Sequence, residues 1–413
     1  MFRSTDELLK DGVAALKLNS EEERMLEGMG GQTAKKAMEL LVAIGEVMGA
    51  ERMVRVTSAQ VSGVSYGNIG DAGVEFLEEW AGNGAKVVIP TTLNPCGMDL
   101  ERWSEMGIDD AYRSKQIRII DAFMRMGVSA TCTCTPYLVG NHPKYGEHVA
   151  WSESSAICYA NSVIGARTNR EGGPSALAAA IVGRTPMYGL HMEEGRRPTV
   201  IIDVEAEVRT RHDFSLLGYA VGRRIGTGVP LFVGITRADK NQLKIMCAAL
   251  AASGGIALFH IQGITPEAWR YQPQGLDRIQ IGASDLEECR EVLSSEGDPD
   301  LCCIGCPHCS LEEMEEVARM LRGRRVARGK ALWVWTSKAV RDEAERAGYV
   351  REIEEAGGRV FSDTCMVVCP LEKAGFSHMV TDSCKAAHYV PSTARMRASV
   401  ADLREAVAMV VEP

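Results

Sequence analysis

The run 161–175 crowds Asn161, Ser162, Arg167, Thr168, Asn169, Arg170, Glu171 and Ser175 onto backbone loosened by Gly165, Gly172 and Gly173. Core packing does not require such a density of polar groups. Arginine forks donate paired hydrogen bonds in one plane, which suits carboxylate or phosphate oxygens. Pro174 reads as a proline-led helix start, whose free N–H groups favour an anion. The run is therefore read as an anion site between two helices. The plainer alternative is an interhelical loop whose arginines cap helix ends and pair with carboxylates.

The cysteines point to a second kind of chemistry. There are 13 of them in 413 residues, an odd count, and the first residues show neither the basic start nor the apolar run of a secretory leader. A disulfide framework is not expected from this pattern, which leaves metal or iron–sulfur ligation, or reactive thiols. Cys132 and Cys134 follow a predicted strand at 127–132, Cys306 one at 300–304 and Cys365 one at 358–361; Ser383 and Lys385 follow one at 377–380. In open parallel sheets, ligands gather outside the carboxyl ends of the strands. Thiolates from separate loops meeting there would hold an iron–sulfur cluster, and an iron without a protein ligand would act as a Lewis acid. Cys306 and Cys309 also have the spacing of half a zinc knuckle or of a redox pair, so zinc stands second and thiol–disulfide exchange third. The bland reading, small buried hydrophobes, is given to Cys158, Cys247 and Cys289. His308 and His388 fall near predicted strand ends and are candidates for acid–base work.

A scaffold must position these groups. Ser20 and Glu23 fit a capping box, and apolar residues over 37–48 keep helical spacing up to Gly49. Residues 52–61 read as a strand, followed by a glycine-rich loop at 62–71 that carries Ser65 and Asn68. The glycine spacing matches neither a dinucleotide fingerprint nor a P-loop, so it is an unspecific anion signal. A helix to Trp80 and a strand at 85–90 follow. Further on come helices at 110–126, 153–164 and 174–183, strands at 199–205, 229–235 and 255–261, and in the last third helices at 310–322 and 338–356 between short apolar strands. Such alternation indicates parallel sheets with helices on their faces. The length exceeds one core. An N-terminal region at 1–272 of two α/β/α subdomains and a C-terminal α/β/α domain at 273–413 are expected.

The net charge is −9, and no basic stripe with interleaved aromatics is present, so no nucleic-acid partner is expected. The basic run 322–330 reads as a solvated helix end. No segment approaches the length of a spanning helix, which leads to the expectation of a cytoplasmic protein without a membrane partner. An anionic small molecule remains compatible, because a few local arginines outweigh diffuse acidity.

Cys134-Thr135-Pro136-Tyr137, the stretch 147–155, the run 161–175, Gly189-Leu190-His191, Gly305-Cys306-Pro307-His308, Asp363-Thr364-Cys365 and the stretch 383–389 together resemble the aconitase X family over nearly the whole chain. The resemblance implies an aconitase-like α/β fold, with three α/β/α domains of mainly parallel sheets around a central crevice. It also implies dehydration of a hydroxy acid. Within the family the chain resembles the large-subunit form. Archaeal members of that form convert mevalonate 5-phosphate to trans-anhydromevalonate 5-phosphate in a modified mevalonate route to isoprenoids, and bacterial relatives include cis-3-hydroxyproline dehydratases.

By the same resemblance, Cys134, Cys306 and Cys365 would ligate an iron–sulfur cluster, of the 4Fe–4S type with one open iron. Cys132, Cys309, Cys369 and Cys384 are extra thiols that confuse the assignment. Arg167, Asn169 and Arg170 would hold carboxylate or phosphate, as would Ser65, Asn68, Ser383 and Lys385. Glu153 and Ser154 would orient substrate and complete, with His308 and Lys385, the catalytic set. A serine from a small swivelling-domain subunit is the implied base, so the chain is expected to need that partner. The alternatives are dehydration of another hydroxy acid such as cis-3-hydroxyproline, whose ring nitrogen would want a carboxylate, and, in another class, a non-catalytic zinc-binding or regulatory subunit.

Overall fold

The computed structural model describes residues 16–272 and 274–412. Residues 1–15, on which the leader reading rests, lie outside the described residues. Helix α1 (Ser20–Leu26) begins at Asn19, whose side chain accepts the Glu21 and Glu22 amides while Glu22 reaches back to the Asn19 amide. The capping box is therefore one residue earlier than Ser20 and Glu23 indicate, because the asparagine amide oxygen is the better-placed acceptor. Helix α2 (Gln32–Val47) buries Ala37, Met38 and Leu41.

The expected strand at 52–61 is two strands serving two sheets. β1 (Met53–Arg55) pairs antiparallel with β5 (Arg184–Pro186), whereas β2 (Ala59–Val61) is the centre of a parallel sheet ordered β3-β2-β4, with β3 at Thr91–Leu93 and β4 at Ala150–Trp151. Predicted strands at 85–90 and 127–132 do not form. Their backbones make single bonds, Val87 N–H to Met126 O and Ser129 N–H to Thr91 O, rather than continuous ladders. Helices α3 (Tyr66–Gly82), α4 (Asp110–Arg125), α5 (Ser154–Tyr159) and α6 (Gly173–Val182) complete this first unit. The helix expected at 153–164 stops at Tyr159 and continues as a π turn over Ala160–Ile164 before Gly165.

The second unit is a parallel sheet ordered β8-β7-β6-β9, built from β6 (Val200–Val204), β7 (Pro230–Val233), β8 (His260–Ile261) and β9 (Arg278–Ile281). Its helices are α7 (Arg211–Ile225), α8 (Lys240–Gly254) and α9 (Ala283–Val292). Because β9 pairs along its whole length with β6, β9 completes the second sheet and residues 278–292 belong to this unit. The turn-rich segment near 272 that suggested a domain boundary is a crossover within this unit.

The third unit contains β10 (Leu301–Cys309), α10 (Leu311–Leu321), β11 (Ala331–Thr336), α11 (Lys338–Arg346), α12 (Tyr349–Glu355), β12 (Arg359–Phe361), β13 (His378–Thr381), α13 (Cys384–Thr393), β14 (Arg397–Val400) and α14 (Leu403–Ala408). All its strand pairs are parallel, in the order β12-β11-β10-β13-β14. The order reverses between β10 and β13, and a crevice outside the carboxyl ends follows at that point. Gly348, left-handed, divides the helix expected at 338–356 into α11 and α12.

Strand β10 is buried along its length and runs beyond the predicted 300–304. Its register with β11 shifts between Ile304 and Cys309. Gly305 makes the shift possible: its φ is 111°, and a β-carbon there would lie 2.1 Å from the Trp335 carbonyl oxygen. The consequence is that Cys303 and Cys306 join one apolar cluster whereas Cys302, Ile304 and Cys309 join another. Gly305→Ala is expected to destabilise the fold by more than about 1 kcal/mol. Gly323 also has a positive φ but open space around it, so Gly323→Ala controls for conformation alone. Urea titration of both variants checks the difference, and equal losses would show that the close approach to Trp335 is unimportant.

Candidate functional site

The end of β10, the Cys134 loop that follows α4, and the loops after β2, β4, β12 and β13 meet through a set of buried polar contacts. Glu153 leads into α5 from the end of β4. Its Oε2 accepts the Ala156 amide and the Ser155 hydroxyl, each at 2.6 Å, and its Oε1 accepts Lys385 Nζ at 2.6 Å. Lys385, in the first turn of α13, also donates to Ser154 Oγ at 3.3 Å. Burial pushes the Glu153 carboxyl up, but Lys385 and these hydrogen bonds hold it, in net, below its ordinary range. Burial likewise opposes the charge on Lys385, and Glu153 and Cys306 outweigh it, so the ammonium is held well above its ordinary value. The pair is a charged one.

Cys134, Cys306 and Cys365 are brought together around this pair and are all buried. Burial pushes the Cys365 thiol up to about 12, with the charge of Cys306 adding to it, while the Val367 and Val368 amides oppose the shift. Burial raises Cys306 too, against Lys385 and the Ser383 hydroxyl that faces its sulfur. Cys134 is raised by burial, then by Glu153 and Cys365, and its sulfur accepts the His308 amide at 3.2 Å. Each of the three sulfurs therefore faces a hydrogen-bond donor, the second-sphere pattern of a ligating thiolate. The donor set fits an iron–sulfur cluster. Among the described residues, no three His, Cys, Asp or Glu side chains group closely enough to hold a single metal ion. The zinc-knuckle reading of Cys306 and Cys309 fails on placement, since the register shift sends Cys309 into the other apolar cluster, beside Glu313. Of the other extra thiols, Cys132 lies against Cys96, Cys384 against Ser215 and Cys369 close to Cys365.

His308 does not present a free nitrogen to the crevice. Its Nδ1 is 2.9 Å from Thr133 Oγ1 and its Nε2 is 2.8 Å from the Thr364 carbonyl oxygen. Burial lowers its pKa to about 4. It is a neutral strut rather than an acid–base group. Ser383 caps α13, accepting the Ala386 amide.

Most of the run 161–175 is committed to the protein. Asn161 donates to the Thr168 and Ala257 carbonyls, and Asn169 donates to Tyr188 O and accepts the Leu190 amide. Arg167 pairs with Glu193 and donates to His191 O. Arg170 is exposed and gives one nitrogen to Gly255 O. The end of the run does approach the crevice. Gly173, opening α6, packs against the Ser62 carbonyl so closely that a β-carbon would lie 2.5 Å from it, and the Ser62 amide donates to Ser152, next to Glu153. Ser65 spends its hydroxyl on Val368 O. Asn68 is exposed. The first-turn amides of α3 are also satisfied internally, Tyr66 by Gln116 and Gly67 by Tyr112.

Sequence reasoning missed Gln60, which is fully buried. Its Oε1 accepts the Glu153 amide, and its Nε2 donates to Asn94 and to the Thr133 carbonyl, joining the Glu153 and Cys134 loops. An amide between Ala59 and Val61, at the centre of the wholly buried β2, was the available signal. His148 and His191 stack on one another, with ring centroids 5.1 Å apart. Their Nδ1 atoms lie 2.9 Å apart, and burial, reinforced by His148, pushes His191 down to about 3.

Three α/β units with mainly parallel sheets, and a crevice lined by buried thiols and an ion pair, define an aconitase-like architecture. The family models for the aconitase X first, second and third domains match residues 15–194, 198–291 and 299–412. The chain belongs to the aconitase X family. It is 53% identical to the phosphomevalonate dehydratase large subunit of Methanothermobacter thermautotrophicus, over 92% of this chain and 95% of that one. It is 33% identical to the cis-3-hydroxy-L-proline dehydratase of Hypocrea jecorina, over 91% of this chain but 65% of that protein. The crystal structure of aconitase X from Thermococcus kodakaraensis in its holo form superposes with a TM-score of 0.90 at 44% identity, covering 96% of this chain and 100% of that one. No helix among the described residues is long and apolar enough to cross a membrane.

Two outcomes follow. Glu153→Gln leaves Lys385 buried without a counter-charge and is expected to cost about 3–5 kcal/mol. Adding Lys385→Met should recover part of that loss in urea unfolding, whereas strictly additive losses would contradict the coupling. The second concerns His191, whose folded pKa of about 3 lies below the unfolded value of about 6.5. The unfolded state then binds more protons between those values, so the neutral histidine's contribution is full above about pH 6.5 and is lost as pH falls towards 3. The stability difference between wild type and His191→Gln should shrink from pH 7 to pH 4, and a constant difference would place the pH dependence elsewhere.

Proposed function

We propose that this chain is the catalytic large subunit of a hydro-lyase that removes water from mevalonate 5-phosphate to give trans-anhydromevalonate 5-phosphate, in a modified mevalonate route to isoprenoids. The observation that carries the reading is the convergence of Cys134, Cys306 and Cys365 on the charged Glu153–Lys385 pair, in a chain more than half identical to a phosphomevalonate dehydratase large subunit.

Cys134, Cys306 and Cys365 would hold an iron–sulfur cluster of the 4Fe–4S type. When bound, such a cluster supplies an open, Lewis-acidic iron for the carboxylate and the tertiary hydroxyl. Lys385, kept protonated by Glu153, donates to the substrate carboxylate and stabilises the charge that builds as the neighbouring carbon loses its proton. Ser154, within reach of Lys385, orients the substrate oxygens, and Ser383 does the same from the Cys306 side. The phosphate sits at the amino end of α6, whose first-turn N–H groups favour an anion, with Arg170 just upstream in the chain. Asn68, exposed in the first turn of α3, is a second phosphate contact, while Arg167, Asn169 and Ser65 hold the loops in place. The base is a serine of a small swivelling subunit. The description of the archaeal relatives as large subunits supports a partner chain. The assembled enzyme is cytoplasmic.

The two-subunit protein, co-expressed and reconstituted anaerobically with iron and sulfide, is offered mevalonate 5-phosphate and cis-3-hydroxyproline in turn. Water loss from the phosphate ester is expected, with kcat reduced roughly 100-fold or more by Lys385→Met. Dehydration of hydroxyproline alone would overturn the substrate assignment, and an inactive zinc-only complex would overturn the dehydratase reading.

A further inference from the structure

We infer that His308 is a positioning residue that sets the relative placement of the three cysteine-bearing loops. The inference rests on the reading of Cys134, Cys306 and Cys365 as cluster ligands. His308 is fully buried and belongs to the segment of β10 that carries Cys306. Its Nε2 faces the carbonyl oxygen of Thr364, the residue before Cys365, at 2.8 Å. A carbonyl oxygen only accepts, so Nε2 carries the hydrogen and the ring's tautomer is set. Nδ1 is then an acceptor, and it faces the hydroxyl of Thr133, the residue before Cys134, at 2.9 Å. The His308 amide donates to the Cys134 sulfur itself at 3.2 Å, and Lys244 Nζ holds the His308 carbonyl at 2.9 Å.

One imidazole thus bonds the immediate neighbours of two of the cysteines from the loop of the third. The three segments come from two domains: β10 and the strand before Cys365, β12, share a sheet but are separated by β11, and the Cys134 loop lies outside that sheet. A ring with both nitrogens committed is rigid, and it fixes the Thr133-to-Thr364 span that separates Cys134 from Cys365. The donor to Thr364 counts for more than the acceptor for Thr133, because Thr133 also has Thr135 as a hydroxyl partner at 3.1 Å. Residues that orient metal ligands from outside the coordination sphere typically change metal affinity by about 10–100-fold when removed.

The test uses the full chain with its partner subunit, reconstituted anaerobically with iron and sulfide. Bound iron and sulfide per chain, visible absorbance of the cluster and its rate of loss to a chelator are measured. The melting midpoint of the metal-free chain is recorded alongside. His308→Ala is expected to lose the cluster about 10–100-fold faster than wild type, and Thr133→Val a few-fold faster. His308→Gln, whose amide N–H can still reach the Thr364 carbonyl, should recover most of the retention without regaining the melting midpoint. Wild-type retention in His308→Ala, or in Thr133→Val together with His308→Gln should the alanine variant not fold, overturns the positioning role while Cys134→Ala, Cys306→Ala and Cys365→Ala still lose iron. If those cysteine variants keep their iron, the ligand reading fails instead, and the inference with it.

Discussion

A glutamate and a lysine from different domains meet out of water, and the geometry of the crevice depends on their staying charged. Taking either charge out of water costs several kcal/mol, and a partner repays that only if the remaining hydrogen-bonding capacity is also met. Glu153 meets the condition with its second oxygen, which caps α5 and takes the Ser155 hydroxyl. Lys385 meets it with Ser154 and with the negative potential of the nearby sulfurs. The first and third domains are thereby fastened at the carboxyl ends of their sheets, where the cysteines gather.

The other two domain boundaries use the same device. Lys244 on α8 pairs with Glu313 on α10, and Arg211 on α7 pairs with Glu313 and Glu316 at 2.8 and 3.0 Å, joining the second domain to the third. Arg196, in the linker after the first domain, is fully buried and is shared between Glu267 of the second domain and the Asn161 side chain and carbonyl of the first. Each interface thus carries a buried cation with its own acceptors. Apolar packing alone tolerates sliding, whereas these contacts are satisfied in one arrangement only, which is what a site assembled from separate domains requires. The Cys365 loop shows the same economy, with Asp99 accepting the Ser362 amide and Asp363 O accepting the Cys96 amide.

The anion motif that stands out in the sequence proves to be mainly a junction. Its carboxamides and Arg167 are consumed in holding the π turn, the 188–193 segment and the second domain together. Its last residues, at the start of α6, reach Ser62 and so the neighbourhood of Glu153. Polar density marks a place where backbone groups from several segments must be satisfied, and a ligand is only one of the partners that can satisfy them.

Several parts of this protein were legible in the residues alone. The alternation of apolar runs and amphipathic helices determined parallel α/β layers, and the position of Cys306, Cys365, Ser383 and Lys385 just beyond predicted strands determined one chemical edge. These are local properties, set by side-chain periodicity and strand ends. What only the tertiary structure decided is which groups face each other. The register shift at Gly305 parts Cys306 from Cys309, the pairing of β9 with β6 moves the domain boundary past 292, and His308 turns from a candidate acid into a strut between Thr133 and Thr364. Each depends on contacts between residues far apart in the chain, and a one-residue change of register or a single long-range acceptor leaves no periodic trace in the sequence.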